Sequence, residues 1–177
     1  TGSSNIIIGS GIDAASATAS NQLNIGNWIK GEAGQITMPS QPAFSAQPSS
    51  NQNNIALEDW VNVAMGTEIF DQNSDFAGST FTAPVTGKYG LGYNLRLLDC
   101  DTAATYLYVQ IITSNRNYRT IKALKLTADP AYWNANLFVV ADMDANDTAK
   151  VQVLQSGGTA QMGINAGESN FYGYLLG

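Results

Sequence analysis

The chain contains no histidine. That removes the commonest general base, most nucleophile–base triads and the commonest zinc ligand. It contains one cysteine, Cys100, so no disulfide can close within it, and it is not a disulfide-stapled secreted domain. Cys100 lies in Leu98-Asp99-Cys100-Asp101, between two carboxylates that disfavour a thiolate. Charged residues make up 12% of the chain, about half the usual share. Eight Lys and Arg face fourteen Asp and Glu, for a net charge of −6. With no basic field to neutralise phosphates, a nucleic-acid partner is not expected. No apolar run approaches the ~18 residues of a spanning helix, so membrane insertion is not expected. No secretory signal pattern is visible. The chain begins Thr1-Gly2-Ser3-Ser4 and reads as part of a longer protein.

What is present is 177 residues, 44% of them hydrophobic, with polarity supplied by Asn, Ser, Thr, Gln and Gly. That is one domain, or at most two, with enough length for a full core. Surfaces poor in long charged side chains suit rigid, extracellular, multi-strand fibres. Pro84 and Gly87 bracket a tight turn, Pro presetting its own φ and Gly tolerating positive φ. After it, Tyr89, Leu91, Tyr93, Leu95 and Leu97 alternate with Lys88, Gly90, Gly92, Asn94 and Arg96. That period of two marks a strand with one apolar face. The chain ends on Phe171-Tyr172-Gly173-Tyr174-Leu175-Leu176, which must be packed and places the C-terminus in the centre of a sheet. Tyr106, Tyr108 and Ile112 alternate with Leu107, Val109 and Ile111, so that strand is apolar on both faces. A sandwich covers only one face, and a neighbouring subunit is expected to cover the other. Ala56–Ala64 fits a helical turn or two but is read as strand.

The Phe81-x-x-Pro84-x-x-Gly87-x-Tyr89 and Phe171-x-Gly173-x-Leu175-Leu176 segments resemble the globular head family of complement C1q and tumour necrosis factor. Pro42–Ala46 is similar to that family's first strand, and Ile69-Phe70-Asp71 with Phe76 to its loop before the Phe-x-x-Pro strand. Asn136–Val140 and Asn146–Val153 are similar to its late hairpin, with Asn146-Asp147 at the turn, a pair that tolerates left-handed conformations. The resemblance covers about residues 42–177. It implies an all-β fold, a ten-stranded jelly-roll β-sandwich that assembles as a tight homotrimer.

The first thirty residues differ in kind. Asn5–Ile12 and Gln22–Ile29 align at an offset of seventeen, matching Ile8 with Ile25, Gly9 with Gly26 and Ile12 with Ile29. A segment this short cannot bury its own faces and needs neighbours. Its Asn-x-x-Ile-Gly pattern resembles the interwoven β-structured repeats of phage tail fibres and trimeric bacterial adhesins. Residues 1–38 are therefore read as a trimeric shaft segment and linker, with Ala14–Ser20 as a loop and Lys30–Ser40 as the junction. Residues 39–177 are read as the head, and Pro48–Asn54 as its first loop. Ile8, Ile25 and Trp28 in the shaft, and Tyr106, Tyr108, Tyr172 and Tyr174 in the head, are the candidate trimer-interface residues.

No catalytic residues are assigned and no cofactor is implied. Glu58/Asp59, Asp71/Asp75 and Asp99/Asp101 read as solvated turn acids rather than a glycosidase pair. Asp142-x-Asp144-x-Asn146 opens like an EF-hand loop, but Asp147 stands where Gly is needed and Val153 where Glu is needed, and Asp142, Asp144 and Asp147 are the calcium candidates. A polar turn and a looser calcium site both stay open there. The basic cluster Arg116, Arg119, Lys122 and Lys125 is either solvated decoration or a site for an acidic glycan or lipopolysaccharide phosphate. Aromatic platforms with Asn and Arg nearby suit sugars. Tyr132, Trp133 and Asn134, and Tyr118 with Arg116 and Arg119, are the candidate glycan contacts, although Trp133 and Tyr118 equally suit core or interface packing. Trp60 and Trp28 are expected to be buried. The expectation is the receptor-binding tip of a phage tail fibre, in the virion. A bacterial surface adhesin of the same fold, and the non-catalytic end of a polysaccharide depolymerase, are the alternatives.

Overall fold

The computed structural model describes residues 2–123 and 127–177. The chain divides into two units, parting between Gln41 and Pro42.

The first unit is a four-stranded sheet of β1 (Ile6–Ile8), β2 (Leu23–Ile25), β3 (Ile29–Glu32) and β4 (Gln35–Thr37), in that order. β1 and β2 pair in parallel, with Ile6 opposite Leu23 and Ile8 opposite Ile25. The seventeen-residue offset of the sequence is therefore a stacking register. The copies stack on each other within one chain. The offset recurs in the bonds from the Ser3 amide to Ser20 Oγ (2.9 Å) and from the Gln22 amide to Asn5 Oδ1 (2.9 Å). Gln22 is buried and organises the Ala14–Ser20 loop. Its Oε1 accepts from the Ser16 amide at 2.8 Å, and its Nε2 donates to the carbonyls of Ser16 (2.7 Å) and Ala19 (2.8 Å). The side-chain amide satisfies backbone groups that have no ladder partner. Lys30–Ser40, expected as a junction, instead carries the antiparallel β3–β4 pair.

The second unit is a sandwich of two six-stranded sheets. Its strands are β5 (Ala43–Gln47), β6 (Val61–Asn62), β7 (Thr67–Asp71), β8 (Phe76–Ala77), β9 (Thr80–Thr82), β10 (Gly87–Leu98), β11 (Tyr106–Thr113), β12 (Asn117–Lys122), β13 (Tyr132–Met143), β14 (Thr148–Ser156), β15 (Gly163–Ile164) and β16 (Asn170–Leu175). The first sheet runs β13-β10-β16-β5-β7, with β15 on β10. The second runs β12-β11-β14-β9-β8, with β6 on β14. The terminal strand β16 is central in its sheet, as its apolar ending requires. Ile69–Asp71, expected in a loop, is part of β7. β13 and β14, expected as a hairpin, belong to different sheets, and the turn between them carries the chain across the sandwich. Asn146 in that turn has φ 75°.

The inward residues of β10, Tyr89 to Leu97 at every second position, are all buried. They meet Leu107, Val109 and Ile111 of β11 and Val151 and Val153 of β14 in one core. Phe44 sits at its aromatic end, with ring centroids 5.0 Å from Phe76, 4.7 Å from Phe81 and 5.0 Å from Phe171. Gly173 makes room for it: a Cβ there would lie 2.7 Å from Phe44 Cε1. Gly87 likewise serves close packing rather than the positive φ expected of it, since a Cβ would lie 2.8 Å from Leu175 Cδ1. Ala56–Ala64 holds no helix; its strand is the two-residue β6.

Candidate functional site

Strand alternation decides which side chains reach solvent, and it separates the six candidate contacts. On the first sheet, Tyr132 and Asn134 of β13 point outward and are exposed. Arg96, opposite Asn134 in the β10–β13 register, lies over the Tyr132 ring, 4.0 Å from its centroid, and pairs with Glu168. Trp133, between them in sequence, faces inward and packs against the core. On the second sheet, Tyr118 of β12 also faces the core, and burial pushes its phenol pKa upward, with Arg116 opposing. Arg119 points the other way, its guanidinium 5.0 Å from the Trp60 ring centroid. Arg116 is engaged with Asp142, its Nη2 lying 2.9 Å from Oδ1 and 3.0 Å from Oδ2. Lys122 is exposed at the end of β12, and Lys125 lies outside the described residues.

The candidate interface residues also separate. Tyr172 and Tyr174 stand on the outer face of the first sheet, Tyr106 and Tyr108 on the outer face of the second, so no single face holds all four. In the N-terminal unit Ile8 is exposed, Ile25 is half-buried, and Trp28 is 72% exposed, against the expectation of burial. Trp60 is half-buried beside Tyr108, with ring centroids 5.8 Å apart.

The outer face of the first sheet has an unusual build. β10 contributes Gly90 and Gly92, and aromatic rings from both neighbouring strands close over them. A Cβ on Gly92 would lie 2.5 Å from Tyr172 Cζ, and one on Gly90 would lie 3.0 Å from Phe138 Cζ. Phe138 (49% exposed), Val140 and Tyr174 (41% exposed) stand in the same patch. Asn94, Asn136, Phe138 and Tyr172 line an open groove of about 410 Å³. One oxygen nearby, Oδ1 of Asn170, is buried with no hydrogen-bond partner. An exposed apolar patch that spans the edge strand β13 and the central strand β16 calls for a covering surface.

The carboxylates hold turns. Asp71 accepts from the amides of Asp75 (3.0 Å) and Phe76 (2.9 Å). Glu58 accepts from the Gly157 amide at 2.6 Å. Buried Asp101 accepts from the amides of Ala103 (2.7 Å) and Thr159 (2.5 Å). Asp129 is bonded by Thr102 through both hydroxyl and amide, which holds its pKa below the usual carboxylate value. At the calcium candidate, Asp142 pairs with Arg116, while Asp147 Oδ2 accepts from Asn115 (2.8 Å) and the Asp144 amide (2.9 Å). Among the described residues no group of three His, Cys, Asp or Glu is placed to hold a metal ion. The Cys100 thiol is buried, and burial, reinforced by Asp99 and Asp129, pushes its pKa up to about 12.

Sequence reasoning missed Trp60, Gln110, Gln152 and Asn62, which join Arg119 on the outer face of the second sheet. The available signal was Gln110, the one amide on the otherwise apolar outward row Tyr106, Tyr108, Ile112.

No protein-family model and no curated protein matches the chain. Solved structures do. The globular domain of zebrafish complement 1qA protein is 17% identical, with a TM-score of 0.60 over 78% of this chain and 98% of that one. Murine APRIL is 15% identical, with a TM-score of 0.55 over 77% of this chain and all of that one. At such identities the likeness establishes architecture: residues from about 42 onward form an all-β sandwich of the C1q and tumour-necrosis-factor jelly-roll type.

Proposed function

We propose that the chain forms the receptor-binding tip of a bacteriophage tail fibre, a homotrimer in the virion that recognises a host-surface glycan and carries no catalytic site of its own. The observation that carries the assembly is the aromatic outer face of the first sheet, where Phe138, Tyr172 and Tyr174 crowd over two glycines of a central strand and Val140 stands exposed beside them. Each ring presents ~150–250 Å². Burying the half that is still wet contributes about 2–3 kcal/mol per ring at ~25 cal/mol per Å². A neighbouring copy of the same sandwich is the simplest cover, and the C1q-like architecture favours it. The stacked seventeen-residue repeat ahead of the sandwich supports the fibre reading. It exposes Ile6, Ile8, Trp28 and Ile36, apolar residues that further copies would shield. A recognition role fits carboxylates committed to turns and outer faces that pair aromatics with Arg and Asn. Competition tests it: the purified chain should block adsorption of the parent phage to its host and bind host-surface glycan. Failure to bind any host glycan in its assembled state would contradict the receptor reading.

A further inference from the structure

The outer face of the second sheet carries two adjoining rows. Arg119 of β12, Gln110 of β11, Gln152 of β14 and Asn62 of β6 are successive cross-strand partners. Their side chains form one unbroken chain of hydrogen bonds. Arg119 Nε donates to Gln110 Oε1 (2.6 Å), Gln110 Nε2 to Gln152 Oε1 (2.7 Å), and Gln152 Nε2 to Asn62 Oδ1 (2.8 Å). All donors point the same way, so each bond polarises the next. Gln110 is 1% exposed, which anchors the row in the sheet. Beside it runs an apolar row, Ile121, Tyr108 and Leu154, again successive partners. Trp60 and Tyr106 flank Tyr108, the Tyr106 and Tyr108 centroids lying 5.1 Å apart.

The geometry points to a binding platform for an acidic saccharide, a hexuronate-bearing chain lying across the second sheet. A pyranose ring has an apolar C–H face and a polar rim, and here an apolar row lies beside a polar one. Arg119 is fixed at two places: Gln110 holds Nε, and the Trp60 ring lies against the guanidinium. Nη1 and Nη2 have no partner among the described residues and form a preset planar fork. A planar carboxylate matches that fork in a way a point charge does not. At the far end, the Asn62 side-chain amide presents N–H donors for ring hydroxyls. Four strands at ~4.8 Å spacing make the row roughly 14 Å long, which suits an oligosaccharide rather than one sugar. Lys150, paired with Ile112 on the same face, adds positive charge to a chain that is otherwise acidic.

This inference rests on the reading of the chain as a glycan-binding head, and its test separates the two. The assembled chain is titrated with a panel of hexuronate-containing capsular oligosaccharides, each paired with its carboxyl-reduced form. A Trp28→Phe/Trp133→Phe background leaves Trp60 as the sole tryptophan emitter. At least one acidic member should bind about tenfold more tightly than its reduced form and shift Trp60 emission. Arg119→Lys keeps the charge but loses the planar fork and the Nε bond to Gln110, so it should weaken the acidic form severalfold more than the reduced form, with the assembly state and far-UV circular dichroism of the parent. Asn62→Ala should weaken both forms. If Arg119→Lys and Asn62→Ala both bind like the parent, the platform is wrong and the receptor reading survives. If no member of the panel binds the parent chain, the platform is wrong; if the chain then also fails to bind whole host cells and their extracted surface glycans, the receptor reading fails with it.

Discussion

A methyl group added at Gly92 would sit 2.5 Å from Cζ of Tyr172, and the ring is the part that can move. Gly92→Ala should therefore leave the sandwich folded but tilt Tyr172 off the sheet. The expected result is unchanged far-UV circular dichroism with weakened self-association by sedimentation velocity; unchanged association would show that this ring lies outside the contact. Cys100 gives a second single-residue expectation. Its folded-state pKa of about 12 lies above the ordinary value of 9.0. Folding therefore favours the protonated thiol. That contribution is complete below about pH 9 and is lost as the pH rises through the folded value. Urea denaturation from pH 8 to 10.5 should show an alkaline loss of stability that is smaller in Cys100→Ala. In the native state at pH 7.5 the thiol should stay unreactive toward a disulfide reagent, and it should react once the chain is unfolded.

At the scale of elements, the sequence was readable where periodicity met a single demand. β10 and β16 were plain because alternation, glycine placement and a packed ending agreed. The seventeen-residue offset was also plain, yet its meaning was not. Identical spacing serves stacking within a chain and pairing between chains, and only the parallel register of Ile6 with Leu23 separates them. β13 and β14 looked like a hairpin because two apolar runs flank a short polar turn. Whether such a turn joins neighbours in one sheet or crosses between sheets depends on long-range pairing, which local residues do not encode. The outer faces were the least legible. Tyr106 and Tyr108 read as interface because both faces of β11 are apolar; in the fold Tyr108 also has Trp60 and Ile121 of the same chain beside it. Arg116 and Arg119, three apart in sequence, serve opposite purposes, one tied to Asp142 and the other laid on Trp60. The N-terminal unit supplies a test at this scale. Gln22→Ala removes three side-chain bonds that hold the Ala14–Ser20 loop. Unsatisfied groups of this kind cost ~1–3 kcal/mol each where water cannot reach them. Limited proteolysis should cut the variant within 14–20 well before the parent chain, while the sandwich survives; equal cutting would mean that Gln22 does not hold the loop.

At the scale of the whole molecule, the account turns on what covers the first sheet. Its outer face carries Tyr172 and Tyr174 on the central strand β16 and Phe138 and Val140 on the edge strand β13, and a lone sandwich leaves them partly exposed. The second sheet's outer face differs: Arg119 lies against Trp60, and a chain of hydrogen-bonded amides runs beside Tyr108. On the proposed reading, copies of the chain cover one face and a saccharide lies on the other, so assembly and recognition would not compete for surface. In the proposed trimer, a charge at Tyr174 would enter the contact between copies and carry a desolvation cost of several kcal/mol. The most direct test is the mass of the chain in solution, measured by sedimentation equilibrium at micromolar concentration with Tyr174→Asp run alongside. The account predicts three chain masses for the parent, and dissociation of the still-folded variant. A parent chain that sediments as a single, well-folded copy would contradict it.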